Sequence, residues 1–471
     1  MFRFNAIRFV LASFLILGLL SSIAAAQSTI SGQVRDSSGA VMAGVKAEAT
    51  SPALIEGSRS AITNGEGRYA IVDVRPGTYT VTFALPGFAT YRQTVEVPSN
   101  VTVPVDGEMK VGAVGETVNV EARVATVDVE TVARRREAKA KAAHEAGHKV
   151  TARDNYFMAA VHWGAAQWPY DQNDETNIAC NNKKRECYLA YAGLADHHVE
   201  AVWVPFEGKA IPGWLHLPPG FSGTRIPAVI AIPGMDSFKE IQVALYGDRF
   251  LNRGMAVLAI DGPGQYEAPM VGLYFSVERW MAAGSALLDW LSARPEIDAS
   301  RIAASGTSFG TFFGTILTAH EPRIAAFAAM SVCHEPGAHT IFQEASPTFK
   351  KRFMYMSGFT DENEFDRFRK SISWEGHADK IRVPYLVVAG ECEELSPLVH
   401  SERLLRTVQG PRQIVVYQDS RHSVGNVPAA NLGPFPPVLV ADWIADRLAG
   451  KPFASERWFV RASGAIDKTP L

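Results

Sequence analysis

The chain has 471 residues, is 47% hydrophobic and 20% charged, and carries a net charge of −3. At about 150 residues per domain, that length suggests about three domains, each able to bury a core without metal or disulfide staples. The near-neutral balance argues against a basic surface for nucleic acid or an anionic membrane, so neither is expected as a partner.

The first 26 residues form a separate unit. Arg3 and Arg8 precede an apolar run over residues 9–20, and Ser-Ser-Ile-Ala-Ala-Ala ends at Ala26. This is the pattern of a secretory signal peptide, and the run is too short to span a bilayer. Export to the periplasm or beyond is expected, with no membrane span after cleavage.

Residues 27–121 read as short alternating strands: STISGQV, GRYAIVDV, GTYTVTFAL and YRQTVEV. Turn signals recur between them, at Asp36–Gly39, Asn64–Gly67, Pro76-Gly77 and Pro86-Gly87. That rhythm predicts a small all-β sandwich. The pieces Gly32-x-Val34-x-Asp36, Thr63-Asn64-x-x-Gly67-x-Tyr69 and Pro86-Gly87-Phe88 resemble the carboxypeptidase regulatory-like family. The resemblance implies a transthyretin-like fold and a docking or stabilising role rather than chemistry.

Residues 122–196 open as a charged, Ala-rich linker and continue as a helical segment carrying Tyr156, Phe157, His162, Trp163 and Trp168. The break at residues 171–177 predicts a helical pair with a loop. Cys180 and Cys187, with six residues between them, either close a small loop in an oxidising compartment or stay free thiols. Cys333 and Cys392 follow strand-like runs and are expected to be buried near strand ends. None of the four has CxxC spacing, which gives no sign of structural zinc. His144-Glu-Ala-Gly-His148 matches HExxH, a zinc-binding pattern on a buried helix. Its neighbours KAKAA and KVTARD are polar and no third ligand stands out beyond Glu175, so a solvated helix is expected and no metal.

Residues 197–471 alternate strand and helix. Eight strand-like runs, from VEAVWVPF to RQIVVYQD, predict a mostly parallel eight-stranded sheet covered on both faces. The first two, joined by Glu207-Gly208, read as an edge hairpin. The stretch between Val332 and Val383 is too long for one crossover, so a cap insertion is expected at about 334–380.

Gly306-Thr-Ser308-Phe-Gly310 stands between the apolar strand RIAAS and the helical run TFFGTILTAH. A serine on a sharp strand-to-helix turn is a nucleophile elbow, and the glycines permit the turn. A serine hydroxyl needs a base and an orienting third group. His422, in VVYQDSRHSVG after the last predicted strand, is the expected base; His400 begins a helical run. The acid belongs after LVVAG, where Glu391-Cys-Glu393-Glu394 follows. Counting from Gly390 favours Glu393, with Glu394, Glu391 and Asp419 left open and Glu335 a further carboxylate. The oxyanion donors are expected to be the N–H groups of Phe309, at the helix start, and Met235, in Pro233-Gly-Met-Asp-Ser237.

Further pieces carry a resemblance. These are Pro212-Gly213, Gly234-Met-Asp-Ser-Phe-Lys-Glu240, Asp261-Gly-Pro-Gly-Gln265, Ala293-Arg-Pro-x-x-Asp298 and Ala441-Asp-Trp443. Over residues 145–450 the chain resembles the α/β-hydrolases that include fermentation-respiration switch proteins and 2,6-dihydroxypseudooxynicotine hydrolase. The resemblance implies hydrolysis of an ester, or of a C–C bond next to a ketone, without a cofactor, on a small carbonyl substrate. It also implies a helical segment closing the pocket, often in a homodimer. Tyr266 departs from the pattern, which has a small residue after the DGPGQ loop, and Glu stands where Asp is usual. The pocket is expected to be lined by aromatics of the helical segment and of residues 342–368. A secreted peptidase of the same fold and a non-catalytic binding protein are the other classes compatible with these residues.

Overall fold

The computed structural model describes residues 28–120 and 123–471, apart from 52–53, 55–57, 75–76, 86, 98–101 and 111–116. The expected signal segment lies outside the described residues. The chain divides at residue 127 into two compact units.

The first unit is all-β. One sheet joins β1 (Ser28–Asp36), β4 (Arg68–Val74), β7 (Thr102–Pro104) and β8 (Gly107–Met109). The other runs β3 (Ser58–Ile62), β2 (Lys46–Thr50), β5 (Gly77–Ala84), β6 (Thr90–Val97) and β9 (Thr117–Val120). Along β5 the residues Tyr79, Val81 and Phe83 are buried in alternation, as the period of two requires, and they share a core with Ile30, Val34 and Ile71.

Three helices follow, Arg123–Glu145, Lys149–Ala166 and Glu175–Ala192, which belong to the second unit from Asp128 onward. Gly147, at φ 77°, ends the first, so His144 closes one helix and His148 caps the next. The two imidazoles of the HExxH match therefore do not share a helix face. Among the described residues no group of three or more His, Cys, Asp or Glu converges as a metal site. Cys180 and Cys187 lie on the third helix, both buried and both free thiols. Seven residues of helix separate them by about 10 Å along the axis, beyond disulfide reach. Of the other two, Cys333 is buried as expected, but Cys392 is exposed, because it sits in the turn beyond its strand rather than within it.

The eight expected strands form β10 (Val199–Phe206), β11 (Lys209–His216), β12 (Ile226–Ile232), β13 (Ala256–Ile260), β14 (Ile297–Ser308), β15 (Phe327–Val332), β16 (Tyr385–Gly390) and β17 (Arg412–Tyr417). Two more, β18 (Glu456–Val460) and β19 (Ile466–Pro470), extend the edge, and the order is 10-11-13-12-14-15-16-17-18-19. Apolar residues alternate between two cores. Ala228, Ile230 and Ile232 face one, with helices Val277–Ser292 and Phe309–His320; Val229 and Ala231 face the other, with helix Pro436–Leu448. The strand order reverses at β12, which pairs with both β13 and β14. The carboxyl ends of β12 and β14 therefore meet at a topological switch point, where open α/β sheets form their ligand crevice.

A buried charge cluster seats the third helix on this sheet. Lys239 Nζ lies 2.9 Å from Glu240, 3.0 Å from Asp261 and 2.6 Å from Glu267. Lys184, from the helix, lies 3.7 Å from Glu240, and Arg185 lies 3.2 Å from Glu267. Three cations thus face three carboxylates. Burial disfavours the Lys239 charge, but Asp261, Glu240 and Glu267 outweigh it and raise its pKa.

Candidate active site

The elbow is a strained turn. Ser308 has φ 55° and ψ −128°, a left-handed backbone that a side chain disfavours, and helix Phe309–His320 begins at the next residue. Its glycines are required by close approach: a Cβ on Gly306 would collide with the Gly310 carbonyl, and one on Gly310 with the Ile232 carbonyl. The Thr311 hydroxyl donates to the Ser308 carbonyl oxygen at 2.7 Å and accepts from Cys333 N–H at 2.9 Å, fixing the first helical turn to the end of β15.

His422 stands on the loop after β17. Its Nε2 lies 2.9 Å from Ser308 Oγ, and its Nδ1 lies 2.7 Å from Glu393 Oε1. The other carboxylates named from the sequence, Glu394, Glu391, Asp419 and Glu335, do not pair with the imidazole, and the three glutamates have partners elsewhere. Glu394 accepts the backbone N–H of His422 at 2.8 Å, and Glu391 accepts that of Asp419 at 3.0 Å. Glu335 accepts from Thr340 N–H at 2.7 Å and lies 3.8 Å from His400 Nε2. Together with the bond from Cys392 N–H to the Ser420 carbonyl at 2.8 Å, the Glu394 and Glu391 contacts knit the loop after β16 to the loop after β17.

Burial works against a charged His422. The hydrogen bond and charge of Glu393, with Asp236 and Glu394, outweigh it, and its pKa is held above the usual 6.5. A base must be neutral to take a proton, so the rising limb of the pH–rate profile should have its midpoint above pH 6.5. Asp236→Asn removes one raising charge and is expected to move that midpoint to lower pH. A kcat/KM profile between pH 5 and pH 9 (roughly, the range bracketing a histidine) checks it; an unmoved midpoint would show that the Asp236 charge does not act on His422.

Cys333 Sγ lies 3.9 Å from Ser308 Oγ. Burial, with the charge of Glu393, pushes its thiol pKa well up, so it stays protonated and is a poor rival nucleophile.

The loop after β12 lies against the elbow: a Cβ on Gly234 would come within 2.8 Å of Ser308 Cβ. Gly234 N–H donates to Ser237 Oγ at 2.7 Å. Gln265, fully buried, donates from Nε2 to the Pro233 carbonyl at 2.5 Å while its Oε1 accepts Gly262 N–H at 2.9 Å. Met235 follows Gly234 in this loop, and Phe309 N–H belongs to the first turn of its helix, whose N–H groups lack partners within the helix.

The cap insertion contributes Phe342, Phe353 and Phe365. Phe309 packs on Phe342 at 5.8 Å and on Phe353 at 4.6 Å between centroids. Tyr156, Phe157 and Trp163 do not line a pocket as expected. They pack with Tyr188, Tyr191 and Trp214 in a core of their own, because the paired helices need one. Trp168 reaches the insertion, 5.9 Å from Phe349. The exposed Asp236 and the buried Arg352 are contributors to which sequence reasoning gave no role: Asp236 lay within the Gly234–Glu240 piece without being singled out, and Arg352 sits in no motif.

This sheet, switch point and elbow define an α/β-hydrolase. Residues 130–362 match the family model of FrsA-like esterases, and residues 29–110 match that of the carboxypeptidase regulatory-like domain. The second unit thus has the α/β-hydrolase fold and is similar to FrsA-like esterases, and the first unit is similar to the carboxypeptidase regulatory-like domain. It is 31% identical over 235 residues to an α/β-hydrolase of Xenoacremonium sinensis, a match covering 48% of this chain and 54% of that protein. It thus spans about half the length of that relative. It is 28% identical over 319 residues to the 2,6-dihydropseudooxynicotine hydrolase of Paenarthrobacter nicotinovorans, covering 65% of this chain and 80% of that one. The crystal structure of a 2,6-dihydroxy-pseudo-oxynicotine hydrolase superposes with a TM-score of 0.61 at 26% identity, covering 69% of this chain and 90% of the other.

Proposed function

We propose that the chain is a serine hydrolase acting on a small carbonyl compound, either an ester or a ketone with a scissile neighbouring C–C bond. The observation that carries this reading is the unbroken line from Ser308 Oγ through His422 to Glu393, at 2.9 Å and 2.7 Å. Ser308 Oγ attacks the carbonyl carbon while His422 Nε2 takes its proton. The oxyanion is held by the N–H groups of Phe309 and Met235. His422 then gives the proton to the departing alkoxide or carbanion, leaving an acyl-enzyme. Water, deprotonated by His422, attacks the acyl carbon and restores Ser308. Glu393 keeps the Nδ1 proton on its own side and stabilises the imidazolium. The motif resemblance over residues 145–450, which implies either bond class, is the ground for including C–C cleavage among the reactions. The signal-like pattern of residues 1–26 supports an exported enzyme.

Treating the purified protein with a fluorophosphonate and mapping the adduct tests the reading. Labelling at Ser308, absent from His422→Ala, is the expected result. Folded, monodisperse protein that remains unlabelled would overturn it. A panel of p-nitrophenyl esters and β-diketones then separates the two bond classes.

A further inference from the structure

Met235 is held from both sides. Ahead of it, Gln265 binds the Pro233 carbonyl. Behind it, the Tyr266 hydroxyl donates to the Asp236 carbonyl at 3.1 Å, and the Tyr266 ring packs on Phe238 at 4.9 Å. Gln265 and Tyr266 are consecutive, so one short turn grips both ends of the loop. Tyr266 is 1% exposed and has φ 28°, a backbone that strains any residue with a side chain.

Two cations, one from the cap insertion and one from the helical segment, press on the same ring. Arg352 Cζ lies 4.7 Å from its centroid and Lys184 Nζ 5.3 Å. Arg352 comes from the insertion and is 3% exposed. Its Nη1 donates to the carbonyls of Gln167 at 3.2 Å and Tyr170 at 2.9 Å, just beyond helix Lys149–Ala166. Lys184 comes from helix Glu175–Ala192. Cations over an aromatic face are attracted by its quadrupole, more strongly where water is excluded. The insertion and the helical segment therefore converge on one tyrosine, whose far end holds the loop beside Ser308.

We infer that Tyr266 is a positioning residue that makes the oxyanion donor of Met235 depend on the seating of the cap. This rests on the hydrolytic reading above. Tyr266 acts through the Asp236 carbonyl, not on the substrate. When Arg352 and Lys184 bear on the ring, the hydroxyl fixes the Asp236–Ser237 peptide, one residue beyond Met235. When they do not, the loop loses one of its two anchors.

Tyr266→Phe tests this directly, since it keeps the ring under both cations and removes only the bond to Asp236. The measurements are kcat and KM for p-nitrophenyl acetate, per Ser308 titrated with fluorophosphonate, so that misfolded protein does not count. Inhibition by an aliphatic trifluoromethyl ketone is compared with its methyl ketone counterpart. The fluorinated ketone accepts Ser308 Oγ at its carbonyl carbon, with the Oγ proton passing to His422, and forms an adduct bearing the oxyanion. The expected result is a kcat lower by about tenfold or more at nearly constant KM, the size of effect that a small displacement of a catalytic group produces. Trifluoromethyl ketone inhibition should weaken in proportion and the methyl ketone should be unaffected. Arg352→Lys, which keeps a charge but loses the fork to the two carbonyls, should show the same split to a smaller degree. Labelled Tyr266→Phe with unchanged kcat and unchanged ketone discrimination would overturn the role while leaving the hydrolytic reading intact. An unlabelled wild-type Ser308 would overturn both.

Discussion

Ser308→Ala is expected to lower ester hydrolysis by about 10⁵–10⁶-fold, the scale seen when a triad nucleophile is removed. The substitution deletes the hydroxyl oxygen that lies 2.9 Å from the His422 base at the tip of the elbow. What remains is acceleration by the oxyanion donors and binding, about 10³–10⁴ over water. The fold should be unaffected. Alanine keeps the Cβ, so the cost of φ 55° is the same, and the lost Ser–His bond contributes about 1 kcal/mol. Hydrolysis of p-nitrophenyl esters by the purified variant, with a thermal melt beside it, measures both. A variant that retains a hundredth of the activity (about 3 kcal/mol of lost barrier stabilisation) would show that another group attacks.

Glu393→Gln should lower kcat by about 10⁴-fold with little change in KM. The carboxylate does two things at 2.7 Å from Nδ1: it accepts the Nδ1 proton, which leaves the Nε2 lone pair facing Ser308, and it stabilises the imidazolium that forms. A glutamine amide can instead donate to Nδ1 and so hold the ring in the tautomer whose Nε2 carries the proton. The same change removes a cause of the raised His422 pKa, so the residual activity should have its rising limb at lower pH. Glu394→Gln is the control. Its carboxylate accepts a backbone N–H, a bond that a glutamine side-chain carbonyl also accepts, so the loss there should be a fewfold at most. Steady-state kinetics of the two variants side by side discriminates the acids; equal losses would contradict the assignment of Glu393.

How far the sequence could lead depended on the range of each signal. Strands β12, β13, β15, β16 and β17 were legible because their apolar runs are buried on both faces, whereas β10, in the edge hairpin, alternates, with Val202, Val204 and Phe206 buried and Ala201, Trp203 and Pro205 exposed. β18 and β19 were not legible. They lie at the edge, half-exposed, with charges such as Glu456, Asp467 and Lys468 along them, and Lys468 lies 4.0 Å from the Trp458 ring centroid. Ser308 and His422 could be singled out because each follows a strand in a predictable loop. Among the carboxylates only counting favoured Glu393. Which of three glutamates within four residues turns toward the imidazole is decided by bonds between two loops about 28 residues apart, and that pairing leaves no local mark. Arg352 and Tyr266, 86 positions apart in the chain, are likewise joined only by the fold. The cap insertion announced itself by the length of the gap, but the segregation of Tyr156, Phe157 and Trp163 into their own core did not. Aromatic content says that a surface will be buried without saying against what.

The ion cluster around Lys239 has a consequence for modularity. Lys184 and Arg185 belong to one segment of the chain, while Glu240, Asp261 and Glu267 belong to another. Burying one member of such a set without its counter-ions costs about 3–5 kcal/mol, a large part of a domain's stability. The helices at residues 149–192 are therefore not an interchangeable attachment. A chimera carrying a relative's helical segment with an apolar residue at position 184 would leave Glu240 facing one cation fewer. Exchange between homologues is restricted to pairs whose two segments bear complementary charges, and drift at these six positions is confined to concerted changes.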